Sequence, residues 1–98
     1  MVYRNEEHIK VDIDASVRYT GEEDTVVVSE NLKTIIEQVC EILGVGYTYH
    51  GYEAMGRCES ELKDVSVKFS LYEVYDSELS ILHRITNQKG IGLITKTN

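Results

Sequence analysis

The chain has no proline, so no rigid Pro-rich linker divides it. Its two cysteines, Cys40 and Cys58, are too few and too scattered for a disulfide framework or a zinc site. Both read as buried free thiols, Cys40 at the border of an apolar helix stripe and Cys58 in a strand. No apolar run approaches the roughly 20 residues that span a bilayer, and nothing at the start resembles a signal peptide. The expected setting is therefore cytoplasmic or nuclear, without a transmembrane segment.

Basic residues are also scarce. Ten Lys and Arg face seventeen Asp and Glu, a net charge of −7. The deficit is uneven: residues 1–62 hold five bases and thirteen acids, whereas residues 63–98 hold five and four. Non-specific nucleic-acid binding rests on neutralising phosphates, so no direct nucleic-acid binding is expected. The balance argues equally against anionic membranes. Signature motifs are missing too: there is no P-loop, G-x-G-x-x-G, G-x-S-x-G, H-E-x-x-H or C-x-x-C. An enzyme of this size would need such a constellation, so the chain is expected not to be an enzyme and to hold no cofactor.

What is present is a folded composition. The 98 residues are 42% hydrophobic, enough for one α+β domain over residues 1–98. Leu32, Ile35, Ile36, Val39 and Leu43 recur at helical spacing, which predicts an amphipathic helix over about 29–43. Ser29 is its expected N-cap and Gly44 its expected left-handed stop. Such a helix is about 22 Å long and can cover only one face of a sheet.

The remaining apolar runs alternate. From His8 to Thr20, Ile9, Val11, Ile13, Ala15, Val17 and Tyr19 point one way and polar residues the other, which predicts a long strand. Thr25 to Val28 reads as a short β-branched strand after a turn at Gly21 to Asp24. After the helix, Tyr47 and Tyr49 alternate until a parity break at Gly51, which predicts a turn or bulge, the turn preferred. Val65 to Leu71 forms another strand, bulging or ending near Glu73. Leu79, Ile81 and Ile85 continue as a strand with His83 at the same parity, and Ile91 to Ile94 is a short tail. The expected order is ββαβββ(β): a mainly antiparallel sheet of five to six strands with one helix on one face.

Within residues 29–90, the helix NLKTIIEQVCEILG, the segment GYTYHGYEAMGRCE and the hairpin VSVKFSLYEVYDSELSILHRI followed by QKG together resemble the kinase-associated-1 (KA1) domain. That family is the small C-terminal module of checkpoint-type, AMP-activated and microtubule-affinity-regulating kinases. The resemblance implies a helix packed on an antiparallel sheet and an autoinhibitory, subunit-binding or phospholipid-binding role. Its phospholipid contacts would fall to Lys63, Lys68, Arg84 and Lys89. The family's closing helix would follow Gly90 and is missing from the pattern.

Two groups of residues are candidates for function. Tyr47, Tyr49, Tyr52 and Tyr72 suggest an aromatic recognition surface, since tyrosine is enriched where proteins meet. His50 among them could support proton transfer, although tyrosines are also ordinary strand residues with wet hydroxyls. Asp12 and Asp14 share the wet face of the first strand about 7 Å apart, with Glu22 and Glu23 in the turn beyond. They lack the loop pattern of a hard-cation site, so no metal is assigned, and a solvated face is the plain alternative. The expected function is a regulatory protein-binding module docking through its sheet, onto another protein or a second copy as a homodimer. The alternative is an acidic inhibitor of phage or mobile-element type, whose Asp12, Asp14, Glu22 and Glu23 imitate phosphates.

Overall fold

The computed structural model describes residues 8–56 and 62–97. Strands and helices follow as β1 (Ile9–Tyr19), α1 (Thr25–Leu43), β2 (Gly46–Gly56), β3 (Lys63–Val74), α2 (Asp76–Gln88) and β4 (Gly92–Thr97). The strands pair antiparallel in the order β2-β3-β1-β4. Each helix thus connects two strands that have a third between them, the split β-α-β arrangement of ferredoxin-like folds. The class is α+β with an antiparallel sheet. Among the described residues there are four strands and two helices, rather than five or six strands and one helix. Cys58 and the acidic residues Glu6 and Glu7 lie outside the described residues.

Two segments read as strands are helical. Thr25 to Val28 forms the first turn of α1, capped by the Asp24 carboxylate, which accepts from the Val26 amide at 2.8 Å. β-branched residues disfavour a helix by only about 0.7 kcal/mol each; a good cap contributes about 1 kcal/mol, and Val28 joins the core. Ser29 is then not the cap but a buried residue whose hydroxyl donates to the Val26 carbonyl. The second segment, 76–88, is α2. Leu79, Leu82, Ile85 and Thr86 share its inner side, and the Glu78 carboxylate accepts from the Tyr75 amide at its start.

Both helices end alike. Gly44 and Gly90 adopt φ +73, and the next residue's amide reaches back to close the turn: Val45 to the Cys40 carbonyl, Ile91 to that of Thr86. This is the Schellman arrangement, with a buried apolar residue after the glycine.

The parity break in β2 is a bulge, not a turn. Tyr49 pairs with Phe69 and Gly51 with Lys68, leaving His50 as the extra residue. A bulge adds one residue to one strand and restores facing beyond it. Tyr47, Tyr49, Tyr52 and Ala54 therefore stay on one face. Gly51 has φ +124, which a side chain rarely tolerates.

The core lies between the sheet and the helices. Val11, Ile13 and Ala15 of β1 and Val65, Val67, Phe69 and Leu71 of β3 meet Leu32, Ile36, Val39 and Cys40 of α1 and Leu82 of α2. With both helices on that side, the opposite face of the sheet carries no layer among the described residues.

Candidate interaction surface

The uncovered face is assembled by strand register. Lys10, Asp12, Asp14, Ser16 and Arg18 of β1 point away from the core, and β3 sets Ser70 beside Asp12, Lys68 beside Asp14, Ser66 beside Ser16 and Asp64 beside Arg18. On the other flank, β4 places Lys96 beside Asp12, Ile94 beside Asp14 and Gly92 beside Ser16. At the β2 edge stand Thr48, His50, Glu53 and Met55. Two shallow depressions, of about 460 and 610 Å³, cross this face and share Asp14 and Ile94 in their linings.

Charges on the face are interleaved. Arg18 bonds Asp64 at 2.9 Å and Lys68 bonds Glu53 at 2.8 Å. These partners push both cationic side chains up, each through its hydrogen bond first. Lys10 lies 5.2 Å over the Tyr72 ring, a cation–π contact. Met55 and Ile94 stand out as apolar side chains 62% and 60% exposed. Among the described residues two buried side-chain oxygens lack a hydrogen-bond partner, Asp14 Oδ1 on this face and the Tyr19 hydroxyl on the helix side, a condition that costs about 1–3 kcal/mol.

A chain of three side chains runs through the larger depression. Ser70 donates to Asp12 Oδ1 at 2.8 Å, and His50 Nε2 lies 2.6 Å from the same Ser70 hydroxyl. A hydroxyl has one proton. Given to Asp12, it leaves Ser70 an acceptor, so His50 must donate through Nε2–H. In a catalytic triad the histidine instead takes the serine proton. The three groups are present, but their order is wrong for activating a nucleophile. Among the described residues, no three His, Cys, Asp or Glu side chains gather closely enough to hold a metal ion, and no helix is long and apolar enough to cross a membrane.

The candidate residues are thus divided rather than gathered. Asp12, Asp14 and Tyr72 lie on the uncovered face. Tyr47 and Tyr49 lie on the helix side, half-buried against Phe69 with ring centroids 6.1 and 5.3 Å away. The Tyr47 hydroxyl donates to Glu37, and Lys33 sits 4.5 Å over the Tyr49 ring. Burial pushes both phenols up, with the nearby glutamates adding to it. Tyr52 is on the same side but more exposed. The bulge therefore parts His50 from the tyrosines around it. Glu22 and Glu23 occupy the loop after β1, whose start lies about 24 Å along the strand from Asp12. His83 is a half-exposed residue of α2. Cys40 is fully buried, and burial first, then Glu37 and Glu41, pushes its thiol up to about 12, which leaves it unreactive at neutral pH.

Sequence reasoning missed Ser66, Ser70, Met55, Ile94 and the Lys68–Glu53 pair. Ser66, Lys68 and Ser70 were legible as the polar parity of one strand; Met55 and Ile94 gave no signal, because an apolar residue reads as core.

No family model matches the sequence, and no curated protein matches it. Solved structures share the fold. The chain is similar to part of an aminohydrolase from methicillin resistant Staphylococcus aureus, with TM-score 0.53, 10% identity and coverage of 95% of this chain and 29% of that one. It is also similar to part of the full extracellular region of zebrafish Gpr126/Adgrg6, with TM-score 0.55, 10% identity and coverage of 93% and 14%. The chain spans less than a third of either protein. A de novo designed protein, Ferredog-Diesel, aligns over 98% of this chain and 90% of its own, at 15% identity and TM-score 0.48. For the aminohydrolase and Gpr126/Adgrg6, at 10% identity, the likeness is one of fold.

Proposed function

We propose that the chain is a non-enzymatic interaction module that regulates a protein by docking through the uncovered face of its sheet. One observation carries the reading: both helices pack on one side, and the other side presents Met55 and Ile94 to solvent among paired charges. Apolar side chains within a polar rim are the anatomy of a recognition surface.

Phosphate mimicry is the weaker alternative. It needs a continuous carboxylate row, whereas Glu22 and Glu23 stand far along the chain from Asp12 and Asp14, and Arg18, Lys68 and Lys96 intervene on the same sheet. The test is a double substitution, Met55→Asp with Ile94→Asp, at exposed positions outside the core. The variant should keep the wild-type circular dichroism and melting temperature yet lose whatever association the wild type makes, as read by light scattering and by pull-down from source lysate. Unchanged association in both assays would contradict the reading.

A further inference from the structure

The charge pattern of the uncovered face identifies what it fits. Its described residues include four cations (Lys10, Arg18, Lys68, Lys96) and four carboxylates (Asp12, Asp14, Glu53, Asp64), with Glu73 opposite Lys10 at one end, so it is close to neutral in a chain of net charge −7. The excess negative charge lies elsewhere, much of it on α1 and its leading loop: Glu22, Glu23, Asp24, Glu30, Glu37 and Glu41. Two copies approaching by their helices would repel. Approaching by their sheets, they would not.

The arrangement within the face is more specific than its sum. On the two central strands, Asp14 stands beside Lys68 and Arg18 beside Asp64. Lay a second copy face to face on the first, related by a two-fold axis that runs along the strands between β1 and β3. Each β1 residue then lies opposite the β3 residue that is its own neighbour in the sheet. Asp14 meets the partner's Lys68, and Arg18 meets the partner's Asp64. Each contact occurs twice, as a two-fold interface requires. The same operation sets β2 over the partner's β4. The projecting Met55 falls toward the end where the partner has Gly90 and Gly92, and Ile94 falls over the gap the partner leaves at Gly51. Sheets packed this way keep their strands within about 30°, so the pairing holds best near the axis, where Asp14 and Lys68 are.

We infer that the uncovered sheet face is a homodimer interface, in which Asp14 of each copy pairs with the partner's Lys68 across a two-fold axis parallel to the central strands. This rests on the reading of the sheet face as the docking surface and names its occupant. The Lys68 ammonium has three protons and can hold Glu53 and the partner's Asp14 together. Four strands about 4.8 Å apart and some eight residues of length give a flat footprint of about 500 Å² per copy. That is near the lower limit for a specific interface, so the dimer should be concentration-dependent.

The test is sedimentation equilibrium of the full chain over a wide concentration range. The wild type should show a monomer–dimer equilibrium. Asp14→Lys makes the central pair uniformly basic and Lys68→Glu makes it uniformly acidic, so each alone should weaken dimerisation about tenfold or more. An equimolar mixture of the two variants should recover wild-type affinity, because each new charge then faces its opposite. A wild type that stays monomeric to its solubility limit overturns the inference, and so does a dimer that tolerates both single substitutions or a mixture that fails to associate. If either charge variant does not fold, Ile94→Glu carries the test alone: a dimer unchanged by it overturns the inference. A monomeric wild type that still loses a captured protein on Met55→Asp with Ile94→Asp would overturn only the second copy as occupant. A dimer indifferent to every substitution on the face would remove the docking reading as well.

Discussion

Glu73 holds φ +58, the only positive value among non-glycine residues described. Its place explains why. Ile9 pairs with Val74 and Val11 with Leu71, so Tyr72 and Glu73 together face Lys10 alone, a bulge at the end of β3. A side chain in the left-handed region costs about 1–2 kcal/mol, and glycine there forfeits about 0.5–1 kcal/mol through its greater freedom when unfolded. Glu73→Gly should therefore raise the unfolding free energy by about 0.5–1 kcal/mol, the difference of those terms. A urea titration reads it, and a loss of stability would contradict the strain. The break in alternation at Glu73 was legible from sequence as a bulge or strand end. The left-handed backbone was not, because glutamate gives no hint of it. Asp12 and Asp14 were legible as neighbours on one wet face, but not their different fates. Asp12 accepts a hydrogen bond from the Ser70 hydroxyl across the sheet, while Asp14 Oδ1 has no partner among the described residues.

At the level of elements, the core half of α1 was plain from the spacing of Leu32, Ile36 and Val39, and its end from Gly44. Its beginning was hidden by three valines, whose β preference local reasoning weighed above the cap at Asp24. The cap can be measured. Asp24→Ala should lower stability by about 1 kcal/mol in a denaturant titration, and no change would return the start of the helix to Ser29. The segment 76–88 failed for a different reason. Leu79, Ile81 and Ile85 fit an alternating pattern as well as a helical one, since a short amphipathic helix also shows i, i+2 coincidences. The deciding signs were at its ends: Glu78 three residues after Tyr75, and Gly90-Ile91 repeating the Gly44-Val45 stop. In β2, a glycine at a parity break was consistent with either turn or bulge. Register along β3 selects the bulge, because only an added residue lets Tyr47, Tyr49 and Tyr52 share a face.

For the molecule as a whole, one helix of limited reach already implied that a face of the sheet would be left uncovered. A second helix does not remove that conclusion, because α1 and α2 pack into one cluster on the same side. The resulting body has an acidic helix side and a nearly neutral sheet side whose charges alternate across its two central strands. That division was invisible to the composition alone, which reports only the net −7. It also relocates the candidate surface. Of the four tyrosines first considered, only Tyr72 stands on the uncovered face; the chemistry there belongs to Asp14, Lys68, Met55 and Ile94.

The most direct test of the account is a dilution series of backbone amide NMR spectra on the wild-type chain. Concentration-dependent shifts are expected at Asp14, Ser16, Ser66, Lys68, Gly92 and Ile94, with the outer surfaces of α1 and α2 unmoved. Shifts confined to the helices, or spectra that do not change with concentration, would contradict it.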